Sequence, residues 1–303
     1  MRRGACVIWT ALILLSIVDL LLCRRLQLSF SNWERPALAG AVMAGVALFY
    51  QFSGRSAHLA NMAQWALLWA VFSNAGEVLT YIAAACGGPA HDAELAAIDA
   101  ALGFDWSAWF NFLAPDRALR FVLWLGYLSL LPQILISVIY FALRDLDYFN
   151  YELLLNNIVA LLITTAIFLL FPALGPQETG GQPGLPVLLA LRRGGALSFD
   201  LAQLQGLISF PSYHMVLAVL LTYVHRRSAL LVPVAIVNTV MVVSIPTFGP
   251  HYLIDLIAGA AVAALSILAT AVANPAPPIA RADGHSAVAP AATKNCPSGS
   301  TIR

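Results

Sequence analysis

Charged residues are scarce in this sequence. Asp, Glu, Lys and Arg make up 10% of its 303 residues, whereas hydrophobic residues make up 60%. A soluble domain carries about 25% charged residues, so the deficit indicates an integral membrane protein. The formal net charge is +1, and the basic residues form no long basic face. Nucleic acid is therefore not expected as a partner, and the sequence implies no protein partner.

Lysine and paired cysteines are also missing. Lys294 is the single lysine among the 16 basic residues, so every other basic side chain is an arginine. The four cysteines, Cys6, Cys23, Cys86 and Cys296, are widely spaced and form no CxxC pair. This pattern argues against a zinc site and a disulfide framework and favours small apolar packing roles.

Long apolar runs, in contrast, fill most of the chain. A helix that crosses a bilayer needs about 20 mainly apolar residues. The first run is interpreted as a retained span, because no small-residue signal cleavage site follows it. Pro132 predicts a kink in the fourth run. The predicted fold is an all-α, polytopic membrane bundle of eight helices, a six-helix core preceded by two N-terminal helices. The candidate spans are roughly 5–23, 36–52, 59–85, 118–143, 152–171, 211–225, 228–246 and 251–273.

Three segments lie outside these spans. Segment 91–117 mixes acidic residues with Trp106 and Trp109, which predicts one or two helices in the membrane interface with the tryptophans at headgroup level. Segment 171–206 is rich in proline and glycine, and loops of such length are often functional. Residues 274–303 have the composition of a disordered tail. The predicted domains are an N-terminal two-span extension (1–57), a membrane core (58–273) and the tail.

The placement of arginines predicts the orientation in a cell (inner) membrane. The short basic turn 225–227 favours the cytoplasm. Segment 171–206 and the turn 247–250 then share the periplasmic or extracellular face, and the tail is cytoplasmic. The turn after the first span, 24–35, carries three arginines that would also lie outside, which counts against this orientation.

His251 and Asp255 open the eighth span in the stretch FGPHYLIDLIAGA. If a helix begins after Gly249, the i, i+4 spacing puts both side chains on one face. The Asp255 carboxylate can then accept a hydrogen bond from one ring nitrogen and raise the basicity of the other, as in catalytic triads. Two alternatives stay open: a buried pair that caps the helix, and a metal site of two histidines and one aspartate.

A second polar cluster, PSYH at residues 211–214, stands where the sixth span begins. Ser212 suits an N-cap, and the first turn of a helix offers unpaired N–H groups that bind anions. The alternative is an ordinary cap with His214 nearby. Because one helical hairpin joins the two clusters, both are expected at the same membrane depth. Two histidines beside an anion site indicate phosphoryl transfer through a phosphohistidine.

The two clusters resemble the motifs of the type 2 phosphatidic acid phosphatase superfamily of integral membrane phosphoesterases. That family carries Pro-Ser-x-His, here 211–214, and a later motif that begins with Ser, here Ser244, and ends Gly-x-His-x-x-x-Asp, here 249–255. The resemblance covers roughly residues 150–273 and implies that no metal or other cofactor is needed. It implies His251 as nucleophile, Asp255 as the residue that orients it, His214 as general acid and Ser212 as a phosphate ligand.

Cations that the resemblance implies are absent from their usual positions. Residues 170–177, LFPALGPQ, contain neither the Lys nor the Arg-Pro of the family's first motif, and Ile245 stands where an arginine usually follows the serine. A phosphoryl site needs positive charge. Arg192 and Arg193 in the loop 171–206 are therefore the candidate replacements. Solvated loop charges or contacts with lipid headgroups are the alternative role for both.

The His-Tyr-x-x-Asp pattern at 251–255 is also similar to that of inositol phosphorylceramide synthases and sphingomyelin-synthase-like enzymes. Those enzymes pass a phospho-headgroup from a donor lipid to an alcohol acceptor, which is the function expected here. The first alternative is a phosphatase that hydrolyses phosphatidate-like or isoprenyl (pyro)phosphates. The alternative of another class is a transporter or scaffold without catalytic activity.

Asn74 and Glu77 lie in the stretch FSNAGEVLT of the mainly apolar third span. An acid within a membrane span is a functional candidate, and the spacing puts both residues on one helical face. Contact with a lipid headgroup or an acceptor alcohol is one interpretation. A structural tie to Arg144, Asn156 or Asn157 is the other.

Overall fold

The computed structural model describes residues 2–176, 184–249 and 251–273. The predicted tail, 274–303, lies outside the described residues. The described helices are α1 (Arg2–Leu26), α2 (Glu34–Ser53), α3 (Ala57–Cys86), α4 (Asp92–Ala101), α5 (Trp106–Leu113), α6 (Arg117–Leu128), α7 (Leu130–Leu143), α8 (Asp147–Leu170), α9 (Leu185–Arg193), α10 (Tyr213–Val224), α11 (Leu231–Phe248) and α12 (Leu253–Ala273). The two strands are β1 (Leu28–Ser31) and β2 (Leu197–Asp200).

The prediction of an all-α, polytopic membrane protein is confirmed, whereas the count of eight spans is not. In the described part of the chain, α1, α2, α3, α8, α11 and α12 are long and apolar enough to cross a membrane, and α6 with α7 makes a seventh span if the bent pair is one. The predicted sixth span contains only the 12-residue α10. At 1.5 Å per residue such a helix is about 18 Å long, against roughly 30 Å of hydrocarbon.

The predicted fourth span is broken near the predicted kink. The axes of α6 and α7 differ by 48°, and the break lies at Ser129. Pro132 stands in the first turn of α7, where its missing N–H group is not needed, and its ring is incompatible with a continuous helix through the preceding turn. The Ser129 hydroxyl donates to the Gly126 carbonyl (2.6 Å) and accepts from the Gln133 amide (2.9 Å). The break is therefore hydrogen-bonded within the chain.

The centre of the bundle is formed by α3, α8 and α10. Their buried apolar side chains make one cluster with residues of α1, α7 and α12. No residue of α2 is buried, although the helix packs along the outside of α3. An apolar helix exposed on most sides fits contact with lipid.

The N-terminal extension is joined to the core by a parallel strand pair. β1 pairs with β2 in the register Leu28 with Leu197 and Phe30 with Phe199. The Phe30 ring lies edge-on to the Tyr81 ring of α3, with 6.1 Å between centroids. The turn between α1 and α2 and the segment that leads to α10 therefore lie at the same end of the bundle.

The opposite end of α10 carries the short basic turn. Arg226 makes two hydrogen bonds to the Glu152 carboxylate, at 2.7 and 2.8 Å, so its charge is neutralised inside the protein. His225 is buried and hydrogen-bonded to the hydroxyls of Ser137 and Ser228, and burial lowers its pKa to about 4. Arg227 is exposed. The basic character of the turn is thus carried mainly by Arg227.

Candidate active site

The start of α12 is held by a carboxylate from α4. The backbone N–H groups of Leu253 and Ile254 donate to the two oxygens of Asp99, at 2.7 and 2.9 Å, and Asp99 is buried. These N–H groups have no partner within their own helix, and the helix dipole favours a negative charge beside them. Asp99 therefore fixes the position of the first turn of α12 and of the residues just before it.

Segment 91–117, which contains α4 and α5, also contacts the turn that carries His251. The indole N–H of Trp106 donates to the backbone carbonyl of His251 (3.3 Å), and that of Trp109 donates to the Thr247 hydroxyl (3.0 Å). Two helices form in segment 91–117 as predicted, and both indole groups bond to protein. The indole N–H groups of both tryptophans, which were expected to bond to lipid headgroups, therefore have protein acceptors.

His251 and Asp255 meet, but not on one helix as the spacing predicted. α12 begins at Leu253, so His251 lies in the turn before it. The His251 Nδ1 atom is 3.4 Å from an Asp255 carboxylate oxygen, and both side chains are buried. The same oxygen accepts a hydrogen bond from the Tyr252 N–H (2.9 Å). That bond holds the carboxylate facing the imidazole.

The surroundings of His251 keep it neutral at physiological pH. Burial lowers the pKa of its imidazole to about 4, with a hydrogen bond to the Ser209 backbone acting in the opposite direction. The ring lies against Gly249, where an added Cβ would come within 2.6 Å of the ring. A neutral imidazole carries a free lone pair, which is the state that a nucleophile needs.

Ser212 and His214 lie beside this pair, as predicted. The Ser212 N–H donates to the Asp255 backbone carbonyl (3.0 Å), and Gly259 gives α10 room to approach α12 there, since an added Cβ would overlap the Ser212 carbonyl. Ser212 precedes α10, but its hydroxyl makes no capping bond and is buried without a partner among the described residues. The His214 ring lies 6.3 Å from the His251 ring between centroids.

A large cavity opens beside the two histidines. Its volume is about 790 Å³, and its wall is mostly apolar, with side chains from the central helices and from the segment before α10. The polar side chains in this wall include those of His214, His251, Glu77 and Arg120. Ser212 does not belong to the wall. The Tyr127 ring stacks on His214, with 4.5 Å between centroids, and fixes that imidazole at the cavity surface.

Glu77 and Asn74 differ in placement. Glu77 lines the cavity, whereas the Asn74 amide donates to the Ala70 carbonyl of its own helix and does not line it. The structural partners considered for Glu77 are engaged elsewhere. Arg144 lies over the Tyr140 ring, and the side chains of Asn156 and Asn157 hydrogen-bond to other groups. Among the described residues the Glu77 carboxylate forms no ion pair.

The two loop arginines lie away from the cavity. Neither Arg192 nor Arg193 lines it, and Arg193 is exposed. The Arg192 guanidinium has buried nitrogens without partners in the described part of the chain. Burial lowers its pKa, while the nearby charge of Asp92 acts in the opposite direction. The cavity contains a different arginine, Arg120, which the sequence pattern did not single out.

A family model described as "PAP2 superfamily" matches residues 93–269, which is more than half of the chain and extends from α4 to α12. Both motifs lie inside the match, whereas α1, α2 and α3 lie outside it. Neither the curated proteins nor the solved structures gave a match.

Proposed function

The chain belongs to the PAP2 superfamily, and we propose that it transfers a phosphoryl or phospho-headgroup from a lipid donor to an alcohol acceptor. Members of this superfamily are generally phosphatases or phosphotransferases, which supports the proposal. The observation that carries this proposal is the pair of histidines on one cavity wall, 6.3 Å apart between ring centroids, with Asp255 3.4 Å behind His251. A phosphoryl group can stand between two such rings.

The first half-reaction makes a phosphohistidine. The lone pair of the His251 nitrogen that does not face Asp255 attacks phosphorus, so a P–N bond forms and the P–O bond to the leaving group breaks. His214 gives a proton to the departing oxygen. The imidazole becomes cationic as the P–N bond forms, and the adjacent Asp255 carboxylate stabilises that charge.

The second half-reaction reverses these steps with another nucleophile. His214, now neutral, takes the proton from an acceptor hydroxyl, whose oxygen attacks phosphorus while the P–N bond breaks. Transfer is supported by the Glu77 carboxylate in the apolar wall, which forms no ion pair among the described residues and can accept a hydrogen bond from an acceptor alcohol. Asn74 does not line the cavity, so it would not contact the acceptor directly. Ser212, with an unpaired hydroxyl at the start of α10, is the proposed ligand of a phosphate oxygen.

The site is proposed to face the periplasmic or extracellular side, with the tail in the cytoplasm. The exposed Arg227 at the far end of α10 supports this orientation. The turn between α1 and α2 lies at the same end as the site, and its arginines oppose this orientation. Labelling of single cysteines placed in the two turns with a membrane-impermeant reagent would decide between the orientations.

The test of the proposed function uses purified protein and a labelled phospholipid donor, with and without candidate acceptor alcohols. We expect label in a new lipid only when the acceptor is present, and equal turnover with EDTA. Release of inorganic phosphate without acceptor would identify a phosphatase, and release of a phospho-headgroup would identify hydrolysis of a diester donor in place of transfer. Loss of turnover on addition of EDTA would contradict the proposal that the reaction needs no metal.

His251→Ala is expected to abolish turnover and to give no labelled protein. His58→Gln is the matched control, because His58 lies at the start of α3 and bonds to the Ala142 carbonyl, far along the bundle from the cavity. Its turnover should stay within about twofold of the wild type, as expected for a surface substitution. Full activity of His251→Ala would refute the mechanism, and a wild type without turnover on any donor would favour a transporter or scaffold.

A further inference from the structure

The two-histidine site needs a positive charge that its own residues do not provide. The phosphoryl group carries negative charge on its oxygens, and the transition state spreads that charge over them. His251 is neutral until it attacks, His214 gives up its proton during the reaction, and Asp255 and Glu77 are acids. A fixed cation near the phosphate would lower the barrier, because electrostatic stabilisation in a water-poor cavity is strong.

Arg120 is in the right place to supply this charge. Among the described residues, it is the one arginine or lysine in the wall of the cavity that also contains His214 and His251. Its guanidinium has no carboxylate within 4 Å in that part of the chain, and the side chain is exposed at the cavity edge. The charge is therefore free to meet an anionic ligand.

The geometry of α6 puts Arg120 on the same helix face as Tyr127, which contacts His214. Tyr127 stands seven residues after Arg120, which is close to two helical turns, so both residues lie on one face about 10.5 Å apart along the axis. The Tyr127 ring stacks on His214. α6 is pressed against α11 at Gly126, where an added Cβ would come within 2.7 Å of Val240. The face that carries Arg120 is thus fixed towards the cavity.

Other arginines near this end of the bundle do not share this placement. Arg192 is packed near Gly87, and its charge is coupled to Asp92. Arg193 is exposed away from the cavity. Arg117 lies one turn before Arg120 on the same helix, is exposed and does not line the cavity.

We propose that the Arg120 guanidinium binds the phosphate of the lipid donor at the edge of the cavity and neutralises its charge while His251 attacks. This role rests on the proposed function. The proposed phosphate-binding cation is therefore on α6, whereas the sequence pattern predicted it in the loop 171–206. The ligand class is a phosphate monoester or diester anion, which a guanidinium binds through two parallel hydrogen bonds.

The kinetic test compares Arg120→Ala, Arg120→Lys and the matched control Arg117→Ala on the labelled donor. Arg120→Ala should lower kcat/KM by about 100-fold, the scale of removing one donor to a developing oxyanion. Arg120→Lys should recover part of that loss, because it keeps the charge without the fork. Millimolar guanidinium should partly rescue Arg120→Ala but not His251→Ala. Equal kcat/KM for Arg120→Ala and Arg117→Ala would overturn the proposal.

A binding test separates this proposal from the choice of donor. Orthovanadate, a phosphate analogue, should raise the thermal unfolding midpoint of the wild type and of Arg117→Ala in detergent, and should raise that of Arg120→Ala much less. This readout needs no turnover, so it holds even if every donor tried is wrong. Equal stabilisation of wild type and Arg120→Ala would overturn the proposal, and so would the absence of any stabilisation of the wild type.

Discussion

His251 combines burial with access to a cavity. It is buried, which lowers its pKa to about 4, and it still borders a cavity large enough for a lipid headgroup. Burial disfavours the imidazolium form because a charge loses its hydration in a low-dielectric site. The lowered pKa therefore increases the fraction of His251 that can attack phosphorus at mildly acidic pH.

This property predicts the acid limb of the pH–rate profile. Because the neutral imidazole of His251 is the reactive form and is protonated only near pH 4, kcat/KM should not fall as the pH is lowered through 6.5 and should drop near pH 4. A phosphodiester donor is required, since its phosphate does not titrate in this range. The measurement is kcat/KM between pH 4 and 9, with recovery of activity after return to pH 7 as the control for unfolding. An acid limb at pH 6 to 7 would contradict the assignment.

At the scale of elements, α4 and α5 act as a support for the site. Asp92 accepts hydrogen bonds from the N–H groups of Leu174 and Gly175, and Asp99 caps α12. This segment mixes apolar and polar residues. Hydropathy alone cannot tell an interfacial helix from one that docks on protein, because both need one apolar and one polar face. The sequence therefore predicted the helices but not their partners.

Asp99→Ala tests this support. Removal of the cap leaves two N–H groups at the start of α12 without their acceptor, which should cost about 1 kcal/mol of stability and lower kcat about tenfold, since a small misplacement of a reacting group is costly. The matched control is Asp200→Ala, which removes a cap from the short turn Leu201–Gln203. Thermal unfolding in detergent and steady-state kinetics measure both effects.

A wild-type kcat for Asp99→Ala would show that α12 needs no external cap. An equal loss in Asp200→Ala would show that the effect is not specific to the site. In either case the positioning role of Asp99 would be rejected.

At the scale of the whole molecule, the strand pair joins the N-terminal extension to the catalytic core. β1 belongs to the turn after α1, whereas β2 belongs to the segment that leads to α10. The Ser29 hydroxyl donates to the Leu197 carbonyl across a sequence separation of 168 residues. No local sequence pattern predicts a strand pair over such a distance in the chain. The extension and the site segment should therefore move as one body.

A disulfide across this pair tests the arrangement. Ser29 and Ser198 are register partners, and neighbouring strands bring Cα atoms within the 4.4–6.8 Å that a disulfide spans. In a background without the native cysteines, the variant Ser29→Cys with Ser198→Cys should crosslink on mild oxidation, and its activity should stay within about twofold of the reduced form. Either single variant is the control. Failure to crosslink, or loss of activity that reduction restores, would contradict the arrangement.

The sequence by itself determined the membrane class and the helical nature of the spans, and it singled out the two histidines and the aspartate as candidates, because these follow from local composition and from motifs a few residues long. Tertiary structure alone decided which groups surround them. Asp99, Tyr127 and Arg120 come from helices distant in sequence, and the arginine that lines the cavity is Arg120 of α6, whereas the loop arginines Arg192 and Arg193 do not line it. The physical reason is that hydropathy and helical period fix where a helix runs and which face is apolar. The rotation and depth at which helices pack, set by close contacts such as that at Gly126, decide which polar side chains share a cavity.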